Sequence, residues 1–206
     1  MWLLIAVTIA APVSDAHPHI GAILALVVLI SILAGASLSG NRRIVVLVAI
    51  PLSGLWMLAR LLEEFGNGQH IYNHLPHAFG LVLSCVLIWA IFGRLSAASR
   101  VTSTVLAEAF ISYLIIAIAY SQVYWILNEV VPNPFNQRIP PTEGATLLYF
   151  SMVSLSGVGY GDITPVNPFV RIIAALESMT GIFYLAIVVS RLVSSYRPAP
   201  SADRES

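Results

Sequence analysis

Lysine is absent from this chain of 206 residues; its ten basic side chains are all arginine, balanced by ten acids. Charged residues make up only 10% of the chain, against roughly 25% in soluble domains. So little charge excludes a sizeable soluble domain. No basic cluster suggests a nucleic-acid partner. The single cysteine, Cys85, excludes an intrachain disulfide. It lies within an apolar stretch and reads as a small packing residue. Metal-ligand spacings, a nucleophile elbow and a phosphate-binding loop are also missing, so nothing supports an enzyme or a bound cofactor.

What the chain has instead is apolar sequence: 58% of residues are hydrophobic and the mean hydropathy is +0.85. A helix that crosses the hydrocarbon needs about 20 apolar residues. Stretches near 20–38, 44–62, 78–94, 104–128 and 168–192 meet or approach this. Residues 1–13 form a shorter apolar stretch, compatible with a short or tilted membrane helix, a cleaved signal or an interfacial helix. Ser14-Asp15-Ala16 resembles a cleavage site, but the positive leader expected of a signal is missing. Two boundaries are legible. Asn167-Pro168 reads as an N-cap followed by proline in the first turn, and Gly66-Asn67-Gly68 should end the helix before it. The arginines orient the bundle. Arg42, Arg43, Arg94, Arg100, Arg191, Arg197 and Arg204 fall on one side of an alternating chain, which the positive-inside rule makes cytoplasmic.

Between the last two apolar stretches runs Ser156-Gly157-Val158-Gly159-Tyr160-Gly161-Asp162. Exposed backbone at membrane depth is tolerated only where protein buries it or where it lines a watery path. Alternating glycines let successive carbonyls face the same way, and a row of carbonyls can replace the water around a bare cation. One loop covers one side of an ion, so several copies around an axis are implied. Ahead of it, Thr142 to Leu155 reads as a half-membrane helix of about 21 Å, with Pro140-Pro141 stopping any earlier helix. A ring of such helix C-termini favours a cation.

The run from Leu148 through Asp162, continuing into Ile163-Thr164-Pro165, resembles the pore helix and selectivity filter of tetrameric potassium channels, over residues 104–193. The family pattern is Thr-Val-Gly-Tyr-Gly-Asp, and this chain has Gly157 in place of the threonine. The resemblance implies an all-α membrane bundle with a re-entrant pore helix and filter loop between the last two membrane helices. It implies potassium conduction by a homotetramer in a plasma or inner membrane, with the C-terminus cytoplasmic. The carbonyls of Gly157, Val158, Gly159, Tyr160 and Gly161 become the ion ligands, Asp162 and Glu177 the filter's support, and Gly181 either a gating hinge or a packing glycine. Residues 1–103 become a scaffold and 194–206 a short tail. Gly157 keeps the carbonyl but loses the threonine hydroxyl. That loss motivates the alternative of a weakly selective cation channel; a transporter membrane subunit and a non-conducting subunit are further alternatives.

Only Arg94 marks the segment 78–94, so no voltage sensor is expected there. His17, His19, His70, His74 and His77 all fall on the expected outer side. They read as solvated loop residues or as an external pH or metal sensor. Glu108 is read as snorkelling to the cytoplasmic end.

Overall fold

The computed structural model describes residues 70–97, 102–140 and 143–194, with isolated positions 51, 54, 55 and 58. The apolar stretches 20–38 and 44–62, residues 1–13, the Gly66-Asn67-Gly68 breaker and the tail beyond Ser194 lie outside them. Of the arginines that orient the bundle, only Arg94 and Arg191 lie within them. The described residues are all-helical: α1 (His70–Ala97), α2 (Ser103–Val130), α3 (Gly144–Leu155) and α4 (Pro168–Ser194). Two of these, over Val105–Val130 and Pro168–Arg191, are long and apolar enough to cross a membrane.

The boundaries follow local chemistry. Thr102 caps α2, its hydroxyl accepting from the Val105 amide at 3.3 Å. Val131 leaves that helix extended, at φ −98° and ψ 130°, as a residue before proline must. The Asn167 side chain accepts from the Phe169 amide at 2.9 Å, so α4 opens as its Asn-Pro signal predicts. α3 begins at Gly144, two residues later than its sequence signal, after Glu143 at ψ 56°. α1 starts at His70 and runs without a break through Pro76. Proline removes one amide and crowds the carbonyl four residues back, but one such defect near an end does not outweigh more than five further turns of helix.

The short α3 is wedged between α2 and α4, and α1 packs on the far side of α2. The core has two centres. Near the loop end, Tyr124, Phe135 and Phe150 meet edge-to-face, with centroids 4.9 to 6.1 Å apart, among Trp125, Ile139, Leu147, Ile163 and Val170. This geometry sets positive ring edges against negative faces. Deeper in, Ile116, Ala117, Leu155 and Tyr184 form the second. Lipid tails are as apolar as leucine, so hydrophobicity alone cannot hold membrane helices together; close packing and interhelical hydrogen bonds do. Ser151 bonds the Ala117 carbonyl at 2.7 Å, Tyr120 bonds Thr180 at 3.2 Å, and Tyr184 bonds both Ser112 and the Ala109 carbonyl, the latter at 2.6 Å. No buried side-chain polar atom among the described residues lacks a partner.

α4 is two-faced. Val170, Glu177, Gly181 and Tyr184 form its buried stripe, while Ile172, Leu176, Met179 and Phe183 stand exposed on the other side of the single chain. Two sequence readings need correction. Cys85 is exposed on α1 and packs nothing away. His77 is no loop residue: it is buried in α1, bonded to Gln122 and stacked on Trp125 at 3.7 Å. The amphipathic imidazole serves there as a flat packing surface with a polar tip. Among the other histidines, His70 and His74 fall on the same helix, and His17 and His19 lie outside the described residues. Glu108 sits half-buried in the second turn of α2, at the end away from the loops.

Candidate functional site: the glycine loop after α3

α3 ends in a way its sequence dictates. Ser156 is still helical, with φ −74°, and Gly157 turns left-handed at φ 74°. The Gly157 amide returns to the Ser154 carbonyl at 3.1 Å and the Val158 amide to the Val153 carbonyl at 3.2 Å. Those two bonds around a left-handed glycine make a Schellman cap. A β-branched residue at this φ would be a steric outlier. Gly157 is therefore the helix stop of this chain, a role that sequence reasoning missed because it compared the position only with threonine.

The left-handed conformation then recurs at every second residue, at Gly159 (φ 56°) and Gly161 (φ 80°). Val158 and Tyr160 between them keep negative φ, since Asn133 is the only non-glycine with positive φ among the described residues. Residues 156–162 are all exposed in the single chain, with Tyr160 at 70% and Val158 at 55%. Tyr160 lies parallel to Tyr149 of α3, centroids 6.4 Å apart.

The last carbonyls of α3 are each engaged. The Val153 carbonyl also takes the Gly159 amide at 3.3 Å, and that of Ser154 takes the Ser178 hydroxyl at 2.9 Å. The Leu155 carbonyl takes the Tyr113 hydroxyl at 3.0 Å. Gly181 sits directly beneath it: a Cβ added there would lie 1.8 Å from the Leu155 oxygen. Close approach of α4 to the end of α3 is what requires glycine at 181.

Behind α3, Glu177 is fully buried. Its carboxylate accepts from Tyr124 at 2.6 Å and from Ser151, whose hydroxyl also reaches α2 through Ala117. Helices α2, α3 and α4 thus meet at one carboxyl group.

Beyond the glycines, Asp162 is exposed and receives the Tyr149 hydroxyl at 2.8 Å. That bond holds its carboxyl below the usual carboxylate range. The segment after it pairs with the α2–α3 loop. Phe135 and Pro165 form an isolated bridge, the Asn136 amide bonds the Thr164 carbonyl at 2.9 Å, and the Val166 amide bonds that of Pro134 at 2.9 Å. Asn136 adds its side chain: Nδ2 donates to the Asp162 carbonyl at 3.1 Å and Oδ1 accepts from the Thr164 amide at 3.0 Å. Nothing in the sequence pattern singles out Asn136, Tyr113 or Ser178; their partners are distant in the chain. Tyr149, by contrast, lies within the stretch that carried the resemblance. Among the described residues, no group of three or more metal-ligating side chains gathers.

Residues 101–197 match the profile of a family described as ion channel. "Two pore potassium channel c" of Oryza sativa subsp. japonica is 32% identical over 78 residues, covering 37% of this chain and 17% of that protein. "Potassium voltage-gated channel protein shk-1" of Caenorhabditis elegans is 26% identical over 39% of this chain and 14% of its own length. The matched part thus spans less than a fifth of either relative. "Protein LctB" of Bacillus caldotenax is 29% identical over 58% of this chain and 96% of its own length. No solved structure matches. These likenesses support a pore-loop potassium channel family for residues 101–197. The matched region takes in α2, α3, the glycine loop and α4.

Proposed function

We propose that this chain is one subunit of a homotetrameric, potassium-selective channel, in which the carbonyls of Gly157, Val158, Gly159, Tyr160 and Gly161 line the path. The observation that carries this is the left-handed backbone at Gly157, Gly159 and Gly161, directly after a short helix wedged between two membrane-length helices. Alternating hands turn successive carbonyls to one side, the arrangement that substitutes for an ion's hydration shell. One chain leaves the loop exposed; copies around an axis enclose it. Asp162 adds negative potential at the mouth, Glu177 braces the filter from behind, and Gly181 serves the packing under the filter, with hinge motion a further role. The chain performs no covalent chemistry and uses no cofactor, potassium being its cargo. The arginine pattern puts the C-terminus in the cytoplasm and the loop mouth outside, in a plasma or inner membrane.

A weakly selective cation channel is the second reading, favoured by one observation. Gly157 supplies a carbonyl without a hydroxyl and holds a backbone that threonine resists. Purified protein in liposomes separates the two. Strong preference for potassium over sodium flux supports the first; equal fluxes support the second; no flux, with an intact assembly, leaves a closed channel or a non-conducting subunit.

A further inference from the structure

The glycine loop is held from two sides, and the second holder is a single amide. From α3, Tyr149 grips the Asp162 carboxylate. From the α2–α3 loop, Asn136 grips the Asp162 main chain and the Thr164 amide at once, at 3.1 and 3.0 Å. The loop is itself anchored. Phe135 is 4% exposed and packs edge-to-face on Tyr124 and Phe150, so its neighbour Asn136 has a fixed starting point. Main-chain bonds from Asn136 to Thr164 and from Val166 to Pro134 fix the register on either side. Asn133, left-handed at φ 48°, lets the chain turn back after Pro132 to make this pairing.

We infer that Asn136 is a positioning residue for the outer mouth of the filter, acting through the Asp162–Ile163 peptide. This rests on the channel reading above. The Asp162 carbonyl that Asn136 holds belongs to the same peptide unit as the Ile163 amide. Fixing that plane fixes where Gly161, one residue back, presents its carbonyl. The task needs a donor and an acceptor on one short planar group, which a side-chain amide offers. Aspartate keeps the acceptor for Thr164 and loses the donor to Asp162. Alanine loses both.

The test pairs Asn136→Asp with Asn136→Ala in the full chain. Amide exchange on the purified protein is the first readout. Ile163 exchange rises in both variants, by roughly fivefold, the order expected from one lost hydrogen bond. Thr164 exchange rises only in the alanine variant. The second readout is liposome flux. Both variants lose potassium-over-sodium preference at low external potassium and regain it when external potassium is raised, because ions seated among the carbonyls hold them in place. A merely misfolded chain shows no such rescue. Unchanged Ile163 exchange in both variants, or unchanged ion preference in both, overturns the inference. If the wild type itself passes no ion, the chain is a closed channel or a non-conducting subunit, and the exchange pattern alone decides whether Asn136 holds the peptide.

Discussion

A glycine where the family has threonine looks at first like a lost ligand, but at the scale of the residue it is also a gained conformation. Gly157 closes α3 at φ 74°, with both bonds of a Schellman cap in place. Space is not the obstacle to a side chain, since a Cβ there would meet nothing within 4 Å; the backbone angle is. Gly157→Thr is therefore expected to destabilise the assembly, by about 1–3 kcal/mol per chain for a left-handed β-branched residue. Thermal unfolding of the purified protein checks this, and an unchanged midpoint would mean that the loop re-forms with another backbone. The Asp162 carboxyl makes a second residue-scale case. The Tyr149 hydroxyl lowers its pKa, so the bond's contribution is complete above the ordinary carboxylate value and is lost as pH falls through the lowered one. Tyr149→Phe removes the main cause. The acid loss of flux should then move up, toward about pH 4, the value of an ordinary aspartate. An external pH titration of wild type and variant reads this directly, and coincident curves would count against the Tyr149–Asp162 bond.

Among the elements, the contact between α4 and the end of α3 is the least forgiving. Gly181 lets the two backbones touch, Ser178 bonds the Ser154 carbonyl one turn earlier, and Tyr113 of α2 bonds the Leu155 carbonyl. Gly181→Ala places a methyl 1.8 Å from the Leu155 oxygen, against main chain that cannot rotate aside. The helices must separate, which costs about 1–3 kcal/mol or more for overpacking. The expected outcome is loss of assembled protein in mild detergent, where a pure hinge glycine would leave assembly intact and alter gating alone. Glu177 binds the same layer from behind by joining Tyr124 and Ser151. How much of this was legible differs by element. α4 announced itself through Asn167-Pro168, and α2 through its length of apolar sequence, because capping and hydropathy are local properties. The start of α3 slipped by two residues, because Glu143 at ψ 56° is not yet helical and no strong local cap marks that boundary. Glu177 was conspicuous as a carboxyl in an apolar run. Its partners were not, and neither was the Asn136 clamp, since a contact 26 residues apart leaves no periodic trace.

The whole molecule is where a single chain stops being a sufficient description. The exposed stripe of Ile172, Leu176, Met179 and Phe183 on α4 continues the exposure of Val158 and Tyr160 in the glycine loop. Glycine-loop backbone cannot face lipid, because each unsatisfied carbonyl there costs several kcal/mol. Lipid can cover apolar side chains but not residues 157–161, which is why the proposed channel sets further copies of the chain around a watery path. Four copies give each ion a ring of carbonyls and close the assembly without a free edge. Light scattering in mild detergent should give a protein mass four times the 22.2 kDa of one chain. An assembly of two chains would leave the carbonyl loops open on two sides, and a monomer would leave them open on three. Either result would remove the enclosed path on which potassium conduction depends.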